Sequence, residues 1–276
     1  MTWHAQLSMD YRIEQQRTVV RHSHSGPLRV LQSLYPEGDA VCHNVLVHPP
    51  GGLVGGDTLD IHITASGQAH GLVTTPGATR FYRCADAAAK QCTDIRLMDR
   101  SRLEWLPLEA IAYNQCRAEN HLTLNLADQA EFIGWDITAF GLPGALLPFE
   151  QGSFLQHLEV PGVWLERGRL DATDSRLMNG QLGLAGHRCL ASLFFVAGAA
   201  LERNRREAAL ALARDIVAAH ILNPSAGVTC PNSQVMVLRV LSPLVEPAVN
   251  LLRQVWLAWR AHFWQLLAVN PRLWST

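Results

Sequence analysis

Charge is scarce in this sequence. Lysine and arginine number 23 and aspartate and glutamate 24 in 276 residues, 17% of the chain, where about 25% is usual for a soluble domain. A net charge of −1 leaves no basic footprint, which excludes simple nucleic-acid binding. Long apolar runs are missing too. The longest charge-free apolar stretch runs from Cys189 to Leu201, short of the about 20 residues a membrane-spanning helix needs. Residues Met1 to Gln6 offer neither a basic nor an apolar leader segment, so no secretory signal is expected. The six cysteines are scattered without a CxxC and do not read as a disulfide framework. A reduced, cytoplasmic protein is the expectation. Apolar material, by contrast, is plentiful at 48%, which excludes disorder and suffices for a core. Little charge with much apolar surface fits either a large core or a face committed to a partner.

No Ser/Gly or Pro run divides the chain, and no strict internal repeat marks a solenoid, so residues 1–276 are read as a single domain. Period-two alternation predicts strands over Trp3 to Met9, Leu59 to Thr64, Ile95 to Leu97, Leu103 to Leu106, Leu122 to Leu126 and Phe132 to Ile137. The apolar run Val41 to Val47 is a further strand, bounded by Gly38-Asp39 and Pro49-Pro50. The βαβ rhythm of a doubly wound fold is absent, which argues for a layered, mainly β architecture. Helical patterns come late. One spans Glu202 to Ile221, with Ala209, Leu212, Ala213, Ile216 and Val217 as its apolar face, and stops before Asn223-Pro224. The other spans Glu246 to Ala268, with Leu252, Val255, Trp256, Trp259, Phe263 and Leu266 on one stripe. Ser233 to Leu241 between them reads as a strand.

The densest motif is His48-Pro49-Pro50-Gly51-Gly52-Leu53-Val54-Gly55-Gly56-Asp57. Four glycines and two prolines make it a sharp reversal or a place of close backbone approach. Gly51 and Gly56 match the spacing of a phosphate loop, but Asp57 stands where that motif needs lysine, and a carboxylate repels phosphate. The segment Thr74 to Arg83 adds Thr-Pro-Gly turn chemistry and then Arg80-Phe81-Tyr82-Arg83, an edge strand or a partner-facing patch. Cys42, His43 and His48 suggest a metal by residue type. Strand alternation nevertheless puts His43 on the face opposite Cys42 and His48. His22 and His24 are one further close pair. There is no G-x-S-x-G elbow. A hydrolase using Cys42 and His43, or a carboxylate pair, stays open as the alternative reading.

Taken together, these segments resemble the urease accessory protein UreD (UreH) family, nearly end to end. The residues that carry the resemblance are His24 to Val30, Leu34-Tyr35-Pro36-Glu37-Gly38, Cys42-His43 and His48 to Asp57. They continue through Thr74 to Arg83, Leu103 to Pro107, Gly134-Trp135-Asp136, Leu165-Glu166-Arg167 and Pro271-Arg272-Leu273-Trp274. The resemblance implies a flattened, β-helix-like stack of strands with two C-terminal α-helices. It implies a non-enzymatic maturation factor with no tightly bound cofactor. Its partners would be the urease apoprotein, UreF and, through UreF, the nickel-carrying GTPase UreG, with neither nucleic acid nor membrane among them. Nickel in transit would be served by acidic residues within the shared motifs: Asp57, Asp136 and Glu166, and less so Glu104. Carboxylate oxygens suit nickel, and sparse ligands let it leave again. One departure stands out. The family usually has Gly-Arg-Pro-Ala-x-Gly-Glu after the Gly-Trp-Asp strand. Here Leu142 replaces the arginine, and the glutamate is displaced or is Glu150. The C-terminal helices, where Arg203, Arg205 and Arg206 flank an apolar stripe, are the expected UreF contact.

Overall fold

A computed structural model describes residues 2–84, 86–267 and 269–275. The chain opens with a hairpin, β1 (His4–Glu14) and β2 (Arg17–Ser25), then the short β3 (Arg29–Val30). Nine strands follow: β4 (Val41–Val47), β5 (Thr58–Ala65), β6 (His70–Thr74), β7 (Thr79–Phe81), β8 (Ala89–Leu97), β9 (Arg102–Leu106), β10 (Ala110–Ala112), β11 (Cys116–Leu126) and β12 (Glu131–Leu142). Then come β13 (Leu147–Pro148), β14 (Gly152–Val160), β15 (Trp164–Asp171), helix α1 (Ser175–Asn179) and β16 (Cys189–Ala197). Helix α2 (Arg203–Ala218), β17 (Ala226–Thr229), β18 (Val235–Ser242) and helix α3 (Val245–Trp264) complete it.

The strands form two facing sheets. One runs β15-β14-β11-β8-β5-β1-β2 and the other β17-β18-β16-β12-β9-β6-β4-β3. Between β5 and β14 in the first, and between β4 and β12 in the second, all pairings are parallel. Parallel neighbours need a crossover, usually a helix. Here the crossover is a strand of the opposite sheet, so the chain winds as a flattened β-helix. Each coil takes about 30 residues, within the roughly 20–50 that solenoid repeats occupy. A small third side joins β7, β10 and the end of β12 in parallel, extended by a bridge from Leu53 to Phe81. The expected mainly β, stacked architecture is therefore present.

Two apolar clusters hold it together. One fills the space between the sheets and includes Leu7, Ile61, Ile95, Leu124 and Phe154. The other lies on the outer face of the larger sheet, where Trp135, Leu193, Phe195 and Leu238 meet α2 and α3. Helix α3 buries Leu252, Val255, Trp256, Trp259 and Phe263 as its stripe requires, and it ends at Trp264. The expected helical end at Ala268 lies outside the described residues. Helix α2 buries Ala209, Leu210, Ala213 and Val217. Leu212, expected inside, is 41% exposed, because the helix is rotated to bury Leu210 instead. A third helix, α1, was not expected from the sequence. It is little more than one turn, capped by the Asp174 carboxylate accepting the Arg176 and Leu177 amides.

Candidate functional site: a polar lane through the solenoid

The inward positions of a β-helix are normally apolar, yet one level here is not. Parallel register puts Gln91, Asn120 and Gln156 side by side on the seven-stranded sheet. On the facing sheet, Asp136, Ser192 and Arg239 are neighbours. The two rows meet across the interior. Asn120 Nδ2 donates to Asp136 Oδ2 at 2.7 Å and Gln156 Nε2 to Oδ1 at 2.6 Å, with Thr138 at 3.3 Å. Gln91 Nε2 extends the chain to Asn120 Oδ1 at 3.3 Å. Toward the surface, Arg239 holds the Glu166 carboxylate through Nε and Nη2. Between these groups the Ser192 hydroxyl is buried with no hydrogen-bond partner, which is uncommon in a native interior.

Burial dominates the protonation of Asp136. It pushes the carboxyl up to about 6, helped by the nearby Glu166 charge and opposed by the hydrogen bonds from Gln156, Thr138 and Asn120. So two of the three carboxylates expected to serve a metal path share one lane. Asn120, Gln156, Ser192 and Arg239 are the members that sequence reasoning missed. Their only signal was a polar residue at an inward position of an alternating strand.

Asp57 lies elsewhere. It is buried, and its oxygens accept the Trp3 amide at 2.8 Å and the Val54 amide at 2.9 Å. That clamps the glycine loop to the first strand. The same loop packs on the Thr-Pro-Gly segment. Leu53 N–H donates to Arg80 O at 2.7 Å, and Tyr82 N–H donates to Leu53 O at 2.9 Å. Gly52 is required here, since a Cβ would sit 2.3 Å from the Tyr82 ring. Gly56 has φ +85° and abuts Thr2. The two loops border an open cleft of about 220 Å3 lined by His48, Gly52, Thr75 and Arg80. Burial holds the His48 imidazole below its ordinary value, opposed by Asp57.

Glu104 is fully buried and committed to structure. It receives Trp256 Nε1 at 2.7 Å and Arg260 Nε at 2.9 Å, and His70 Nε2 lies at 2.7 Å. Burial alone would raise it, but His70, Arg260 and Trp256 outweigh that and hold it at about 2. Arg260 also binds Glu37 at 2.6 and 2.9 Å, and Glu37 bonds His43 at 2.6 Å. His43 is thus tied to this network on the outer face. Cys42 faces the opposite way, its thiol donating to Asn44. No bond joins Cys42 to His43, so the geometry offers no thiolate–imidazole pair. Among the described residues, no three His, Cys, Asp or Glu side chains are already gathered around a metal position.

The profile of the UreD urease accessory protein family matches residues 4–275. The chain belongs to that family. It is 65% identical over the full length of both chains to the urease accessory protein UreD of Polaromonas sp. and to that of Variovorax paradoxus. The UreD of Leptothrix cholodnii is 50% identical, again over both whole chains. A role in urease maturation follows from the family. Among the described residues, no helix is long and apolar enough to cross a membrane. At the Leu142 departure, β12 pairs with β13 through a short turn that leaves Leu146 88% exposed. Of the three arginines expected to meet UreF, Arg205 is taken by Glu131 at 2.5 Å and by Phe263 O at 3.0 Å. Arg203 pairs with Glu207 on the exposed helix face.

Proposed function

We propose that this chain acts in the cytoplasm as a non-enzymatic scaffold that binds the urease apoprotein and links it to UreF and, through UreF, to the GTPase UreG. Nickel is its cargo. It would pass along the lane from Glu166 to Asp136. Neither a nucleic acid nor a membrane is a partner in this reading. The observation that supports it is the lane itself: a buried carboxyl held by neutral amides, with an unpartnered hydroxyl beside it. Amide and hydroxyl oxygens bind a borderline ion weakly, and a carboxyl near 6 exchanges a proton for it readily. Asp57 supports the scaffold by fixing the loop that carries the most distinctive motif.

Two measurements test this together. A tagged urease apoprotein should copurify with the chain, with and without UreF. The D136N/E166Q variant should keep that copurification yet lower urease activation in nickel-limited cells. Unchanged activation would reject the lane. D57A should instead loosen the loop and weaken copurification itself.

A further inference from the structure

The solvent face of the seven-stranded sheet carries a second row of polar groups that the lane does not use. In-register stacking puts Asp60 beside Cys92, Cys92 beside His121, and His121 beside His157. Their sequence neighbours Gln91, Asn120 and Gln156 point inward, so this row points out. Same-face residues on adjacent strands stand about 5 Å apart. The two imidazole centroids are accordingly 5.2 Å apart, with planes 33° from parallel.

The donor orientation is specific. His121 Nε2 lies 3.3 Å from Glu119 Oε2, and His157 Nε2 lies 2.8 Å from Glu159 Oε2. A carboxylate on one ring nitrogen fixes the tautomer and leaves the other nitrogen, here Nδ1, as the ligand. Both rings are partly open to solvent, at 27% and 16%. Cys92 next in the row is a free, half-buried thiol. Metal binding would deprotonate it, against the upward push of burial and of Asp60. Lys90, 3.4 Å from Glu119, and Arg169, 3.8 Å away, offset the carboxylate charge.

We infer that His121, His157 and Cys92 form a surface site for a borderline divalent transition-metal ion such as Ni2+, Co2+ or Zn2+, separate from the interior lane. Two imidazoles and a thiolate are the donors such ions prefer over Mg2+ or Ca2+. The three do not yet converge, so side-chain rotation closes the site around the ion. This inference does not rest on the proposed role in nickel transfer.

Cobalt titration of the full chain, fused to a soluble carrier without metal sites, tests it. One equivalent should bind with a near-ultraviolet thiolate-to-cobalt band. C92S should remove the band and leave weaker binding. H121A/H157A should weaken binding by more than about tenfold, the scale on which even supporting partners of ligands act. H22A, at an imidazole outside both this row and the interior lane, should change nothing. Circular dichroism checks that each variant stays folded. Unaltered affinity in folded H121A/H157A would overturn the site, as would an equal loss of binding in H22A or persistence of the thiolate band in C92S. Absence of binding by the parent chain at about millimolar cobalt, well above typical sensor affinities, would overturn it equally.

Discussion

Asp136 is a carboxyl group whose folded-state value, about 6, lies well above that of an unfolded chain. The stabilisation from this group is fully present below the unfolded value near 4 and is lost as pH rises through 6. The loss amounts to roughly 3 kcal/mol. D136N mimics the protonated form. It should raise the melting temperature at pH 8 and match the parent at pH 4, in thermal scans across that range. Arg260 works in the other direction. It is the buried cation for both Glu37 and Glu104. R260M removes the shared cation from two buried carboxylates, leaving Glu37 with His43 and Glu104 with His70 and Trp256, and should cost about 3–5 kcal/mol in urea unfolding. The sequence marked Asp136 through its motif, but not Asn120 or Gln156, because those arrive from two other coils. Arg260 was legible in hindsight only. It sits on the same stripe as Trp256 and Phe263, and a lone arginine on an apolar stripe is a buried ion pair waiting for its partner.

At the scale of elements, alternation found β5, with one buried face, and parts of β9 and β12, which are buried on both, but it missed β6 and β16. Strand β5 alternates between its faces and was plain. Strands β6 and β16 are buried almost throughout. A run apolar on both faces has no period to read. For β16 this apolar run served only to exclude a membrane span. The parallel winding was likewise hidden, because the coils share a length rather than a motif. Helix α3 was legible from its stripe, but its weight in the fold was not. It covers the outer cluster and supplies Trp256 and Arg260 to Glu104. Truncation after Leu244 should therefore yield insoluble or protease-sensitive chain rather than a folded protein lacking one contact. Limited proteolysis of the soluble fraction checks this. A stable, protected fragment would show the solenoid to be independent of α3.

For the whole molecule, the accessible surface is 12747 Å2, against about 11,800 Å2 expected for a compact 30.5 kDa chain. The scarcity of charge therefore does not reflect an unusually large buried fraction. It shows on the surface, where Leu146, Leu182, Ile221 and Leu267 are each more than 80% exposed. The chain expressed alone should be poorly soluble, and coexpression with UreF should raise its soluble fraction, read on fractionated lysates. Good solubility in isolation would show that these exposed apolar side chains need no partner to cover them.

The network around Arg260 also sets an order of events during synthesis. Glu37 and Glu104 precede their shared cation by 223 and 156 residues. At about 5–20 residues per second, they wait roughly 8 to 45 seconds on the ribosome. Over that interval the face bearing Leu72, Leu106 and Trp135 has no cover. The coils can wind as they emerge, but the outer face is sealed only when the last helix arrives. Until that helix emerges, the outer face of the nascent chain is an apolar surface of the kind that holding chaperones bind.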